Sequence, residues 1–164
     1  TQCQRGLENF TRLPGRMEIA VFRPDILLVD DSYNANPASM KAALTALAEM
    51  SGKGRCIAML GDMLELGEES QDLHHGVGAA AAEVCDFLLL LGERARDMGE
   101  GAKAAGMDPE RIRTFGDHLA AAEFLKNLLQ PGDRVLLKGS RGMKMEKVRV
   151  HLEKMESGAA GQGS

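Results

Sequence analysis

The junction at residues 26–37, ILLVDDSYNANP, narrows the possible folds of this chain to a few. An apolar run typical of a buried strand stops at Asp30 and Asp31, and a polar turn then leads to Pro37. Asn36 can cap a helix that has Pro37 at its first position. In open α/β sheets, ligands bind outside the carboxyl ends of strands, and a helix N-terminus presents free N–H groups there. The junction therefore predicts a strand, a ligand-facing turn and a helix at such an edge.

Strand and helix patterns alternate along the rest of the chain. The candidate strands are residues 17–22, 26–29, 56–60, 87–91, 112–115 and 135–137. The candidate helices are residues 37–48, 68–84, 93–105, 117–129 and 145–155. Only three residues separate the first two strands, too few for a parallel crossover, so this pair must form an antiparallel hairpin. We predict an α/β fold with a doubly wound, mostly parallel six-stranded sheet, an antiparallel edge hairpin and helices on both faces.

Composition excludes several classes of partner. The net charge is -4 and the chain has one Tyr and no Trp, so neither a basic stripe nor a base-stacking platform for nucleic acid is expected. The longest apolar run, residues 87–91, is too short to span a membrane. Three widely spaced Cys residues indicate free thiols in a reducing compartment, which predicts a cytoplasmic protein.

The two ends differ from the middle of the chain. Residues 1–16 are interpreted as a linker or the remnant of a preceding domain, which would make the chain a fragment. Residues 17–156 are predicted to form the domain itself. Residues 157–164 are small and polar and are predicted to be a flexible tail.

Three polar loops should meet at the C-terminal edge of the parallel strands: residues 30–36, 61–69 and 138–142. Simpler roles stay open for several of their residues. Asp30 and Asp31 can be turn residues, Asn36 a helix cap, and Lys138 and Arg141 solvated charges. The acidic residues of the second loop are typical of a solvated helix start rather than of a metal site.

Motifs for complete catalysis are missing. The sequence contains neither a G-x-x-x-x-G-K-[ST] phosphate loop nor a G-x-G-x-x-G dinucleotide fingerprint after a strand. We therefore expect no residue of this domain alone to be catalytic and no metal to be held by it. The edge should hold part of a ligand and should need another domain to complete the chemistry.

The three loops carry a resemblance to a known family. The stretches that match are DDSYNANPASMKAAL (30–44), LGDMLELGE (60–68) with His74, and VLLKGSRG (135–142) with Met145 and Glu146. In this order they resemble the C-terminal domain of the Mur ligase family, and residues 14–17 resemble the hinge that enters it. Within the family, the members that add D-alanyl-D-alanine to UDP-N-acetylmuramoyl-tripeptide are the most similar. The resemblance covers nearly all of residues 14–155 and implies a Rossmann-like domain that closes over ATP.

The resemblance also implies roles for the first loop. Asp31 would accept hydrogen bonds from ribose hydroxyls, and Tyr33 would pack on the nucleotide. Asn34 and Asn36 would pair with the nucleotide or orient their neighbours.

Other roles fall to the later loops. Lys138, Ser140 and Arg141 would meet the carboxylate of D-alanyl-D-alanine or developing phosphate charge, with the choice between Lys138 and Arg141 left open. Asp62 would position the loops rather than touch a ligand.

The implied reaction needs partners that this chain does not supply. ATP would phosphorylate the terminal carboxylate of the tripeptide, and the amine of D-alanyl-D-alanine would then displace the phosphate. Mg²⁺ and the phosphate loop would belong to a central domain, and the UDP-sugar to an N-terminal one. We expect the full enzyme to be a monomer and the chain alone to be inactive.

Two other classes of protein share parts of this pattern. A phosphoacceptor receiver domain would use the paired acids after residues 26–29, Asp62 as the acceptor and Lys138 as the cation. However, Asp62 follows Gly61 beyond its strand, and Gly92 stands where a receiver presents a hydroxyl. A stand-alone nucleotide-binding module is the second alternative, distinguished by the coding sequence upstream of Thr1.

Overall fold

The sheet has the predicted class and pairing. The structure is a computed structural model that describes residues 15–161, so residues 1–14 of the predicted linker or domain remnant lie outside the described residues. The strands are β1 (Glu18–Arg23), β2 (Ile26–Asp31), β3 (Cys56–Gly61), β4 (Phe87–Leu91), β5 (Ile112–Phe115) and β6 (Arg134–Lys138). Their order is β1-β2-β6-β3-β4-β5. β1 is antiparallel to β2 and the other neighbouring pairs are parallel, which confirms the edge hairpin.

Within residues 15–161, five α-helices connect or follow the strands. They are α1 (Pro37–Glu49), α2 (Ser70–Val84), α3 (Ala95–Ala104), α4 (His118–Leu128) and α5 (Glu146–Ala160). Helix α5 extends past the predicted domain end at residue 156, so residues 157–160, predicted as part of a flexible tail, are helical. The hydroxyl of Ser157 donates to the Glu153 carbonyl, which continues the last turns.

Alternate strand residues pack against helices on opposite faces of the sheet. In β3, Ala58 and Leu60 join the core under α1, α2 and α3. Ile57 and Met59 join the core under α4 and α5. Both faces of the central strands are therefore buried, which explains why their sequences are continuous apolar runs rather than alternating ones.

At the N-terminal edge of the sheet, an ion pair joins the segments that lead into β3 and β6. Arg55 donates from Nε to Asp133 Oδ1 at 3.0 Å and from Nη2 to Oδ2 at 2.6 Å. The amide of Gln130 donates to the same carboxylate at 2.8 Å. Burial opposes ionisation of Asp133, but the hydrogen bonds from Arg55 and Gln130 outweigh it and hold the pKa of this carboxyl below its ordinary value.

We expect Asp133→Asn to lower the free energy of unfolding by about 2 kcal/mol at neutral pH, because the buried ion pair with Arg55 is broken. The loss is moderate because Arg55 keeps some contact with water. The folded pKa is the lower one, so this stabilisation is complete above the unfolded pKa, near 3.8. It is lost as the pH falls through the folded value. Urea unfolding at neutral pH and below about pH 3 should show the difference between wild type and variant shrinking in acid. A difference that stayed constant would contradict the pairing.

Candidate functional site

The three polar loops lie together at the C-terminal edge of the sheet. Asp31 at the end of β2 is in register with Lys138 at the end of β6. Lys138 is in turn in register with Leu60 of β3, and Gly61 with Leu91 of β4. We call the edge formed by residues 30–36, 61–69 and 138–142 the rim. Parallel pairing of the central strands places every predicted site residue on or beside this rim.

Asp31 and Lys138 form an ion pair at the base of the rim. Lys138 Nζ lies 2.7 Å from Asp31 Oδ2 and donates to the Asn34 carbonyl at 2.9 Å. The other oxygen, Asp31 Oδ1, accepts from the amide of Met17 at 3.1 Å. The exposed fraction of the side chain is 4% for Lys138 and 14% for Asp31. Lys138 therefore binds protein groups here, while each Asp31 oxygen keeps acceptor capacity for a ligand hydroxyl.

The guanidinium groups of Arg16 and Arg141 both pack against the ring of Tyr33. Arg16 Cζ lies 4.0 Å and Arg141 Cζ 4.9 Å from the ring centroid. Tyr33 is 39% exposed, and its amide donates to the Gly15 carbonyl at 2.7 Å. A guanidinium stacked on a ring keeps its N–H edge available for an anion. Arg16 was not among the predicted site residues, and its place in the hinge-like stretch was the only sequence signal for it.

The two Asn side chains shape the turn into α1. Asn36 Oδ1 accepts from the Ser39 amide at 2.8 Å, and Ser39 Oγ accepts from the Asn36 amide at 3.0 Å. This capping box confirms the cap and the place of Pro37 at the first helical turn. Asn34 Oδ1 accepts from the Ala35 amide at 2.8 Å. With both oxygens bound to backbone, the side-chain NH₂ groups are the atoms suited to meet a ligand.

Asp62 ties the neighbouring loops of the rim together. Its buried Oδ1 accepts from the amide of Ala95, at the start of α3, at 2.7 Å. Its own carbonyl accepts from the Ser140 amide at 2.9 Å. Gly92 has φ +118°, and a Cβ there would lie 2.4 Å from Asp62 Oδ1, so this turn requires glycine. These contacts support the positioning role expected for Asp62.

The side chain of Ser140 also contacts the loop that follows β3. Its buried Oγ accepts from the Leu64 amide at 2.8 Å. The hydroxyl proton is thereby directed away from Leu64, and it is the group that Ser140 can offer to a ligand. Arg141, the next residue, is exposed and starts the 3₁₀ turn Arg141–Met143.

A groove of about 800 Å³ opens beside Tyr33 and runs along α5. Arg149 crosses it, with Nη1 3.1 Å from Glu18 Oε1 and 3.4 Å from Asp30 Oδ2, and Nε 2.9 Å from Glu153 Oε1. Burial lowers the pKa of Arg149, but hydrogen bonds to Glu153 and Glu18 raise it above its ordinary value overall. Asp30 is therefore part of this ion network, whereas its neighbour Asp31 pairs with Lys138.

Neither a metal cluster nor a membrane-crossing helix occurs within residues 15–161. No group of three or more His, Cys, Asp or Glu side chains there is arranged to hold a metal ion. No helix of that range combines the length and apolar character needed to cross a bilayer.

Comparisons with known proteins identify the family. The sequence pattern of the family described as "Mur ligase, glutamate ligase domain" matches residues 15–141. The UDP-N-acetylmuramoyl-tripeptide--D-alanyl-D-alanine ligase of Escherichia coli K12 is 40% identical over 146 residues, covering 87% of this chain and 30% of that protein. The Bacillus subtilis 168 protein of the same name is 30% identical over 145 residues, covering 88% and 32%. The chain thus spans about a third of the length of these relatives.

Solved structures agree with the sequence comparison. A crystal structure of MurF from Acinetobacter baumannii superposes with a TM-score of 0.79 at 34% identity, over 92% of this chain and 33% of that one. The MurF ligase of Thermotoga maritima in complex with ADP gives 0.77 at 28% identity, over 93% and 34%. With three matching loops on one rim, a matching sequence pattern and matching structures, the chain belongs to the Mur ligase family.

Proposed function

We propose that this chain is the C-terminal domain of an ATP-dependent ligase that joins D-alanyl-D-alanine to UDP-N-acetylmuramoyl-tripeptide. The observation that carries the proposal is the meeting of the three motif loops on one rim, with Asp31 in register with Lys138. Relatives of that name at 30% and 40% identity support the choice of substrates.

The rim suits two ligands. For the nucleotide, Asp31 offers acceptors to ribose hydroxyls, and Tyr33, Asn34 and Asn36 offer a ring face and amide groups. For the dipeptide carboxylate or the developing phosphate charge, Arg141 and Ser140 offer donors. Because Lys138 Nζ is engaged by Asp31 and Asn34, we assign the carboxylate to Arg141, whose planar fork can bind it in a bidentate manner.

The proposed reaction gives a reason for the whole domain, with its rim, to close over the reacting groups. The terminal carboxylate of the tripeptide is phosphorylated by ATP, and the amine of D-alanyl-D-alanine then displaces phosphate. Orienting amine and acyl phosphate together contributes at most about 7–11 kcal/mol, and closure excludes water that would hydrolyse the intermediate. The phosphate loop and Mg²⁺ ligands are assigned to a central domain, and we place the reaction, by a monomer, in the cytoplasm.

The two rival functions have less support. A receiver domain needs an accessible acceptor, but Asp62 is buried and its Oδ1 accepts from the Ala95 amide. A stand-alone nucleotide-binding module is disfavoured by relatives about three times as long, in which this domain is one part.

We expect this chain alone to release no phosphate from ATP, because it has no phosphate loop. Joined after the first two thirds of the Escherichia coli relative, it should restore phosphate release that depends on D-alanyl-D-alanine.

In this chimera, Arg141→Met should lower kcat/KM for the dipeptide by about 10- to 100-fold, because a charge-assisted contact to the ligand is lost. Lys53→Met, an exposed residue at the opposite edge of the sheet, is the matched control and should change nothing. Steady turnover by the chain alone, or equal effects of the two variants, would refute the proposal.

A further inference from the structure

His74 on α2 is completely buried, and both of its ring nitrogens have protein partners. Nε2 accepts from the Met63 amide at 2.9 Å, and Nδ1 lies 2.7 Å from the Ser70 carbonyl and 3.3 Å from the Ser70 hydroxyl, which can accept as well as donate. A peptide N–H only donates and a carbonyl only accepts. The partners therefore require a neutral imidazole with its proton on Nδ1.

The residue that His74 holds lies between the two contacts that fix Ser140. Met63 is preceded by Asp62, whose carbonyl accepts from the Ser140 amide, and followed by Leu64, whose amide donates to Ser140 Oγ. A single hydrogen bond to the Met63 amide thus constrains the backbone between the two residues, Asp62 and Leu64, that bind Ser140. His74 itself is completely buried, so it touches no ligand.

Packing alone does not require histidine at this position. Val77 lies three residues after His74 on the same helix, and Met63 is joined to His74 by the hydrogen bond. Both residues are apolar and fully buried, so a leucine at position 74 would suit the same core. What leucine lacks is an acceptor for the Met63 amide, which would then be buried without a partner.

We propose that His74 is a positioning residue that orients Ser140 through the Met63–Leu64 backbone, so that the Ser140 hydroxyl is aimed at the dipeptide carboxylate or the developing phosphate charge. The assignment of a ligand to Ser140 rests on the proposed function; the orientation of the loop by His74 does not.

Two variants of nearly equal polarity separate the two hydrogen bonds. His74→Asn can still donate to the Ser70 carbonyl, but its shorter side chain falls short of Met63. His74→Gln extends far enough to place an acceptor at the Met63 amide. Both bury an amide group in the same core, so general destabilisation should be similar. His74→Asn keeps the bond to Ser70 and loses the bond to Met63, whereas His74→Gln keeps the bond to Met63 and loses the bond to Ser70.

The ligand-free chain gives the first readout. Side-chain ¹⁵N NMR of the wild type should show the His74 proton on Nδ1. Hydrogen exchange at the amides of Met63 and Leu64 should rise about tenfold in His74→Asn and stay near wild type in His74→Gln. The Leu136 amide in β6 serves as an internal reference. A proton found on Nε2, or equal exchange in the two variants, would overturn the inference even if His74→Asn folded poorly.

The chimera with the Escherichia coli relative gives the second readout. His74→Asn should lower kcat/KM for D-alanyl-D-alanine about tenfold relative to His74→Gln. If the unaltered chimera does not ligate, the proposed function fails while the NMR and exchange results still decide the loop assignment. If the chimera ligates and the two variants have equal kcat/KM, His74 does not position Ser140 for the reaction.

Discussion

Gly78→Ala is expected to lower the free energy of unfolding by about 3 kcal/mol or more, although alanine is the better helix former. A Cβ at Gly78 on α2 would lie 1.8 Å from the carbonyl oxygen of Met98 on α3. Gly101 on α3 faces α2 in the same way, with its added Cβ 1.9 Å from the His75 carbonyl oxygen. The clashing atoms are backbone, so relief requires the two helices to separate. Urea unfolding of wild type and variant measures the effect.

Gly76→Ala is the matched control for this prediction, since it makes the same change two residues earlier on the same helix. Its Cβ would meet only the flexible end of Lys41, at 3.8 Å. Alanine should therefore stabilise the helix there by up to about 1 kcal/mol. If Gly78→Ala and Gly76→Ala shifted stability in the same direction, the close approach of α2 and α3 would be wrong.

The contact between α2 and α3 also connects the core to the rim. Helix α2 carries His74, which binds the Met63 amide, and α3 begins at Ala95, which binds Asp62. Both helices therefore hold the same loop, residues 61–65, from beneath. Separation of the helices in Gly78→Ala should loosen this loop as well, and hydrogen exchange at the Leu64 amide would report it.

Local patterns were sufficient to predict the architecture. Continuous apolar runs identified the central strands, because a parallel sheet with helices on both faces buries nearly every residue of those strands. The three-residue connection between β1 and β2 required an antiparallel pair. The cap at Asn36 followed from the residue type and from Pro37 behind it. Helix α5 passed its predicted end because small polar residues weaken a helix without stopping it.

The partners of the rim residues could not be predicted in this way. The last strand of the chain, β6, inserts between β2 and β3, and this order sets Lys138 opposite Asp31. The local sequence around a lysine at a strand end is the same whether the lysine binds a ligand or a neighbouring carboxylate. The stacking of Arg16 on Tyr33 likewise joins segments distant in sequence. Neither contact leaves a periodic signal.

The second large effect is expected at this ion pair. Asp31→Asn leaves the Lys138 ammonium, with only 4% of its side chain exposed, without its counter-charge. Breaking such a buried pair from one side costs about 3–5 kcal/mol. Lys138→Met should cost about 3 kcal/mol, because Asp31 retains slightly more contact with water and the Met17 amide. Lys138→Met also removes the hydrogen-bond donor to the Asn34 carbonyl.

The double variant Asp31→Asn/Lys138→Met tests whether the pair or the single residues matter. With both charges removed, no uncompensated ion is buried, so the total loss should fall below the sum of the single losses by about 2 kcal/mol or more. Urea unfolding of the four proteins gives this coupling energy directly. A lysine that served only the ligand would show the opposite pattern, since its removal would leave stability unchanged or increased. If Lys138→Met were as stable as wild type, Lys138 would be reassigned to the ligand, and its structural role in binding Asp31 and the Asn34 carbonyl would be refuted.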